Sequence, residues 1–142
     1  MYTEQRDLDT GELERIVRDV DKSSISIATG NSEYAAYLVW VADGGVVTPD
    51  PNYTLANVRS GKQEMVRAKS SSIILAKWPG WLQNNILAGM DSAGTCWTDI
   101  ATVRAESNTA ETAIATMTKA QVLAYDVDTG PGWTNIGTLT HD

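Results

Sequence analysis

The sequence predicts a mainly β or α+β protein: an antiparallel β-sandwich or barrel-like domain of six to eight short strands with one N-terminal amphipathic helix. Three observations predict this fold. Apolar residues follow a helical period near the N-terminus, at residues 13–20. After residue 22, short segments rich in β-branched and aromatic residues alternate with Gly, Pro, Asn and Asp turns. The length of 142 residues suits one compact domain. We therefore expect an N-terminal arm and helix at residues 1–22 and a β domain at residues 23–142.

The N-terminal helix is predicted from residue spacing and from a capping pattern. Four apolar residues lie at i, i+3, i+4 and i+7, so a helix would present them on one face. Asp9, followed by Glu12 three residues later, resembles a capping box at the start of this helix. The apolar face consists of Leu13, Ile16, Val17 and Val20.

The strands are predicted in chain order after the helix. Residues 23–28 alternate serine with apolar side chains, and residues 34–42 are apolar on both faces, as in a strand buried inside the domain or beneath a partner. Residues 81–90 have the composition of a short helix. Residues 108–125 are ambiguous between strand and helix, and we expect mainly strand with a helical turn at 119–124. The other strand candidates are residues 64–69, 71–78, 96–106 and 133–140.

Two Asp-Thr-Gly triplets, at residues 9–11 and 128–130, raise the question of an aspartic-protease dyad. That chemistry needs two carboxylates a few ångströms apart that share one proton. Only eight residues precede Asp9, too few for the strands of a catalytic lobe, and proline follows the second triplet where the protease family has a small residue. We therefore predict that Asp9 caps a helix and that Asp128 belongs to a hairpin turn.

Side chains that bind metals or act as nucleophiles are few. The chain has one histidine, His141, and one cysteine, Cys96, whereas zinc needs three or four such ligands. Asp126 and Asp128 stand in a D-x-D-x-G sequence that lacks the later ligands of a calcium loop. A weak ion near these two aspartates stays an alternative to simple turn chemistry. We expect no enzymatic activity, no catalytic residue, no metal and no cofactor.

The net charge of −7 is unevenly distributed. Residues 1–58 carry 4 basic and 10 acidic groups, whereas residues 59–77 carry five basic groups and one acidic group. An acidic chain with one basic segment is a poor nucleic-acid binder. The basic segment is either a solvated face or a surface that meets an acidic partner. No apolar run is long enough to cross a membrane, and we expect no signal peptide. The basic residues are Arg59, Lys62, Arg67, Lys69 and Lys77.

The aromatic residues are five Trp and five Tyr, with no Phe. On loops, such side chains can plug the ends of a small core, anchor a protein interface, or stack on sugar rings. A carbohydrate- or ligand-binding β module is therefore the alternative function. Its platform would consist of Tyr53, Trp78, Trp81 and Trp133.

In composition and layout the chain resembles small structural proteins of tailed-phage virions, such as capsid decoration (cement) proteins and tail or neck subunits. The resemblance implies a non-enzymatic assembly protein, made in the host cytoplasm and located in the virion. Its partners would be further copies of itself or other capsid or tail lattice proteins, with neither nucleic acid nor membrane as a partner. The predicted interface residues are Leu13, Ile16, Val17, Val20, Arg59, Lys62, Arg67, Lys69, Trp78 and Trp81.

Overall fold

The structure is a computed structural model that describes residues 1–136. Over these residues the chain is α+β, with one three-stranded antiparallel sheet and five helices that account for 49% of them. The predicted sandwich or barrel of six to eight strands is therefore wrong. The elements are β1 (Tyr2–Arg6), β2 (Leu13–Arg18), β3 (Ser23–Ser26), α1 (Ser32–Ala42), α2 (Leu55–Lys77), α3 (Gly80–Leu87), α4 (Cys96–Ile114) and α5 (Lys119–Ala124).

Two compact units follow one another along the chain. The first is Met1–Val58, which holds the sheet and α1, and the second begins at Arg59. The turn at residues 19–22 connects β2 to β3 and therefore belongs to the first unit.

The segment predicted as the N-terminal helix forms β2 instead. β2 pairs antiparallel with β1, where Glu4 lies opposite Ile16, and with β3, where Ile25 lies opposite Ile16. A strand turns alternate side chains to opposite faces, so Ile16 is fully buried while Val17 lies on the other face and is half-buried. The ladders on both sides of β2 outweigh a helical period that involves few residues.

Asp9 does not cap a helix, which corrects the second part of that prediction. It lies in the turn between β1 and β2, where the Asp7 Oδ1 accepts hydrogen bonds from the backbone N–H groups of Asp9 (2.7 Å) and Thr10 (2.8 Å). Gly11 adopts a φ of 75°, a conformation that favours glycine. The first Asp-Thr-Gly triplet is thus an Asx turn that joins two strands.

The core of the first unit lies between one face of the sheet and one face of α1. Ile16 and Ile25 from the sheet contact Tyr37 from α1. The rings of Tyr2 and Tyr37 meet edge to face, with their centroids 5.2 Å apart. Trp40 packs beside them, 5.0 Å from the Tyr2 ring. Tyrosine and tryptophan rings thus fill this core, in a chain that contains no phenylalanine.

Residues 34–42, predicted as a strand, form most of α1. Asn31 is the N-cap, and its Oδ1 accepts from the backbone N–H groups of Glu33 (2.9 Å) and Tyr34 (3.2 Å). This cap satisfies two backbone donors that a helix start leaves without intrahelical partners. The helix ends at Ala42, and Gly44 follows with a φ of 96°. The segment that is apolar on both faces is therefore a helix and not a strand.

Helices also replace the strands predicted in the second unit. Residues 64–69 and 71–78 lie in α2 or directly after it, and residues 96–106 form the first part of α4. Most of the ambiguous segment 108–125 is helical, as the end of α4 and as α5, so the expectation of mainly strand is wrong there. The short helix predicted at 81–90 and the helical turn predicted at 119–124 are confirmed as α3 and α5. Residues 133–136 are irregular, and the rest of the strand predicted at 133–140 lies outside the described residues.

The buried face of α2 explains why its helical period is not apparent in the sequence. The buried residues recur every fourth position, but two of them are polar, which interrupts the apolar pattern. They are Val58, Lys62, Val66, Ser70, Ile74 and Trp78, the last directly after the helix. A further polar residue, Lys77, is buried at the end of the helix.

The threonines of α4 do not prevent a helix. Thr102, Thr109 and Thr112 each donate a side-chain hydrogen bond to the carbonyl four residues earlier, at 2.9–3.0 Å. This back-bonding satisfies their hydroxyls within the helix.

Candidate functional site

An apolar surface on α1 is the strongest candidate for a functional site. Helical residues lie 3.6 to a turn, and Ala35, Leu38, Val39 and Ala42 stand at i, i+3, i+4 and i+7. We call these four residues the outer α1 face. All four are exposed, with Leu38 at 48% and Val39 at 62% of their full exposure. The face that carries the buried Tyr37 points the opposite way, so α1 is apolar on two sides and buries one.

Charge is absent from the outer α1 face. The one charged residue of α1 is Glu33, in its first turn, and its carboxylate lies 3.5 Å from the Arg18 guanidinium. Helices that are apolar all round are usually buried in a core or beneath a partner. The outer α1 face thus has the composition of a contact surface.

A shallow groove of about 340 Å³ adjoins the outer α1 face. Ile27, which follows β3, and Leu38 line it, together with the loop that leads into α1 and with Tyr34. Its lining is mostly apolar, which suits a side chain better than a charged ligand.

Sequence reasoning missed the outer α1 face because it interpreted residues 34–42 as a strand. The sequence nevertheless indicated a contact surface, because the segment is apolar on both faces. A strand beneath a partner was one of the two interpretations of this pattern. Four small or apolar residues at helical spacing opposite Tyr37 would have identified the face.

The four apolar residues predicted as a helix face do not share a surface. Ile16 is fully buried in the core, and Leu13 packs against that core. Val17 is half-buried on the opposite side of the sheet, whereas Val20, in the turn after β2, is 85% exposed. Pleating and the turn separate residues that a helix would have aligned.

Each residue of the predicted basic segment contacts an acceptor within the second unit. The Arg59 guanidinium donates to the Met117 carbonyl oxygen from Nη2 (2.6 Å) and Nε (3.0 Å). The buried Lys62 donates from Nζ to the Tyr125 carbonyl oxygen at 3.2 Å. The remaining three form ion pairs. These are Arg67 with Glu111 (2.7 Å), Lys69 with Asp128 (2.8 Å) and Lys77 with Asp99 (2.7 Å).

The aromatic residues of the alternative platform have different environments. Trp78 is 4% exposed, and Trp133 packs against the same core cluster and donates its indole N–H to the Val127 carbonyl oxygen at 2.9 Å. Trp81, in α3, is 61% exposed. Tyr53 belongs to the first unit, where it is half-buried. Of the three tryptophans, Trp81 alone presents most of its ring to solvent.

A buried polar cluster surrounds Asp99 in the second unit. One carboxylate oxygen, Oδ2, accepts from Lys77 Nζ (2.7 Å), Trp78 Nε1 (3.0 Å) and Thr95 Oγ1 (2.9 Å). Burial raises the pKa of Asp99, but these hydrogen bonds and the Lys77 charge outweigh it and place the pKa below its usual value. The cluster is a structural ion pair within the core.

Cys96 lies beside this cluster, in the core of the second unit. It is fully buried, and burial, together with the Asp99 charge, raises the pKa of its thiol. A thiol with a raised pKa is a poor nucleophile. Cys96 is thus a core residue of the second unit.

Turn chemistry accounts for the Asp126 and Asp128 carboxylates. The Asp126 Oδ1 accepts from the Asp128 backbone N–H at 2.8 Å, and this bond and those from Thr129 lower the pKa of Asp126. Asp128 pairs with Lys69. Within residues 1–136, no three His, Cys, Asp or Glu side chains cluster as a metal ion would require.

A second depression, of about 490 Å³, lies in the second unit and is lined mainly by polar residues of α2 and α4. Arg67 and Arg104 line it, but Arg67 is already paired with Glu111. Serines 70, 71 and 107 supply hydroxyls, and neither histidine nor cysteine is part of the lining. The depression therefore offers hydrogen bonds and the exposed Arg104 guanidinium, and within it the Ser107 hydroxyl donates to the Glu111 Oε1 at 3.2 Å.

The helices of the described part of the chain include none with both the length and the apolar character that crossing a membrane requires. Comparison of the chain with protein-family models, with curated proteins and with solved structures gave no match.

Proposed function

We propose that this protein is a non-enzymatic structural subunit that assembles with neighbouring subunits through the outer α1 face, as a capsid decoration protein or a tail or neck component of a phage virion. One observation carries the assembly proposal: α1 has a second apolar stripe, opposite its buried one, that is exposed in the single chain. The virion setting rests on the resemblance in composition and layout.

The exposed stripe offers a modest apolar contribution to a contact between subunits. The exposed fractions of Leu38 and Val39, 48% and 62%, add up to about one whole side chain. Burying one such side chain stabilises a complex by about 1.5–3 kcal/mol per copy. Association itself costs about 4–15 kcal/mol. Leu38 and Val39 alone do not offset this cost, so association of the free subunit needs contacts beyond the outer α1 face and should be strongest where many copies are held on a lattice.

Light scattering after size exclusion, over a protein concentration series from about 1 µM to 1 mM, tests the proposal. We expect the weight-average mass to rise with concentration. Val39→Gln should move this rise to at least about tenfold higher concentration, because it removes apolar area from the contact. The matched control is Val20→Gln, at an apolar residue that is 85% exposed in a turn outside α1.

Two outcomes would contradict the proposal. One is a constant monomer mass across the series, and the other is an equal effect of Val39→Gln and Val20→Gln. The virion setting has its own test, which is mass spectrometry of purified particles of the phage that encodes the chain. The protein should be present there in a fixed copy number per particle.

The alternative, a carbohydrate- or ligand-binding module, has less support. Its platform would now depend on Trp81, since Trp78 is 4% exposed. Titration with glycans, followed by tryptophan fluorescence, tests it. A saturable quench that disappears in Trp81→Ala would favour the ligand-binding function over assembly.

A further inference from the structure

The edge of the sheet formed by β1 is covered by its own chain. The Glu4 N–H donates to the Thr48 carbonyl oxygen (3.0 Å), and the Thr48 N–H donates to the Tyr2 carbonyl oxygen (2.9 Å). The backbone groups of Tyr2 and Glu4 thus point away from β2. Because these groups alternate in direction along a strand, those of Thr3 point toward β2 and its partner Val17.

The same alternation assigns the backbone groups of β3. Val17 bonds to β1, so the backbone groups of Ile16 point toward β3 and its partner Ile25. The N–H and C=O groups of Ser24 and Ser26 therefore point outward. Both serines are exposed, and no backbone hydrogen bond joins either of them to another segment within residues 1–136. β3 is an open edge.

Apart from its short length of four residues, this open edge lacks the usual protection against strand pairing. Soluble proteins protect edge strands with lysines, prolines, bulges or covering segments. β3 reads Ser-Ser-Ile-Ser and contains neither charge nor proline. Its pairing with β2 is regular over all four residues.

We propose that a second copy of this chain pairs with β3 edge to edge, antiparallel, so that two sheets join into one of six strands. This inference rests on the proposed function and names the partner and the contact. Outward groups at Ser24 and Ser26 define the register: Ser24 exchanges both backbone hydrogen bonds with Ser26 of the second copy. Ile25 then lies on the two-fold axis, opposite Ile25 of the second copy.

The outer α1 face and its groove extend this contact. Ile25 belongs to the core beneath α1, and Ile27, directly after β3, lines the groove that reaches Leu38. Joining the two edges places both α1 helices on the same side of the continuous sheet. The grooves of the two copies then meet near the axis, where Leu38 can be covered.

Charge and symmetry favour a second copy over a foreign strand. A two-fold contact brings each residue near its own counterpart, so like charges in it would repel. Residues 1–58 carry 10 acidic and 4 basic groups, yet β3 and the outer α1 face carry none. A charged peptide would find no counter-charge on this surface, whereas an antiparallel strand edge is complementary to itself.

Amide hydrogen exchange of the wild-type protein, measured at low and high concentration, tests the pairing. We expect the Ser24 and Ser26 amides to exchange at least about tenfold more slowly at concentrations where the mass rises, because they become hydrogen-bonded there. The Ile25 amide already bonds within the sheet and is the internal reference.

A substitution pair supplies the second test. Ser24→Pro removes an outward N–H that no bond within the sheet uses, and it should weaken self-association by at least about tenfold. Ser24→Ala keeps that N–H and should associate like the wild type. If the mass still rises with concentration, and Val39→Gln still reduces it, while Ser24 and Ser26 exchange at the same fast rate throughout, the strand pairing is wrong and the proposed function stands. A mass that never rises overturns both.

Discussion

Replacing Asp99 with Asn tests how the core of the second unit is held together. The Asp99 carboxylate accepts from Lys77, Trp78 and Thr95 through a single oxygen. Trp78 was a predicted interface and platform residue, and Lys77 belonged to the predicted basic segment. In the structure both are buried structural residues, and their common partner is Asp99.

The expected loss of stability follows from the burial of Lys77. Its side chain is 7% exposed and that of Asp99 is 17% exposed, so both are largely removed from water. Asp99→Asn keeps the shape of the side chain but leaves the Lys77 ammonium facing a neutral amide. Breaking a buried ion pair from one side costs about 3–5 kcal/mol. At about 3 °C per kcal/mol for a chain of this size, the melting temperature should fall by roughly 10–15 °C.

Urea unfolding, followed by circular dichroism and by tryptophan fluorescence, measures this loss. The control is Asp91→Asn, at an exposed carboxylate that accepts one bond from Asn85 at 2.9 Å and should cost less than about 1 kcal/mol. A second comparison replaces both partners, as Lys77→Met with Asp99→Leu, which should recover much of the loss because no buried charge remains. A cost below about 1 kcal/mol for Asp99→Asn, or one equal to that of Asp91→Asn, would refute the reasoning.

Two further predictions concern acid and glycine. The pKa of Asp99 is lowered in the folded protein. The stabilisation by its carboxylate is therefore complete above the usual aspartate pKa and is lost as the pH falls through the lower folded value. The difference in melting temperature between wild type and Asp99→Asn should be constant above about pH 5 and should shrink below about pH 4. Gly130→Ala should cost about 1–3 kcal/mol, since its Cβ would lie 2.5 Å from the Tyr125 ring and 2.6 Å from the Asp126 carbonyl oxygen. Gly61→Ala, in the interior of α2 with no atom within 4 Å, should instead stabilise by about 1 kcal/mol, and equal effects in urea unfolding would contradict this account of Gly130.

The candidate site was only partly predictable from the sequence. Residues 34–42 were recognisable in the sequence as apolar on two sides. Burial beneath a partner was one of the two explanations given for this pattern. Whether Leu38 and Val39 share a face depends on the choice between strand and helix, because a strand would place them on opposite sides. That choice was set by the Asn31 cap and by packing of Tyr37 on the sheet.

For the basic segment, the sequence identified the residues but not what they contact. Its five cations were recognisable as a cluster in the sequence, and a surface for an acidic partner was a reasonable interpretation. The structure places Lys62 and Lys77 in the buried part of the second unit and Arg67 beside Glu111. Their acceptors lie 22 to 63 residues away along the chain, and a local pattern does not reveal such partners.

The sequence by itself determined that β3, α3 and α5 lie near their predicted positions. These elements depend on residues adjacent in the chain, such as the Thr118 cap of α5. Only the tertiary structure decided that residues 13–18 are a strand, that residues 34–42 are a helix with a second apolar face, and that the edge of β3 is open. The physical reason is that a short apolar segment can form either a helix or a strand, and the choice depends on partners distant in the sequence.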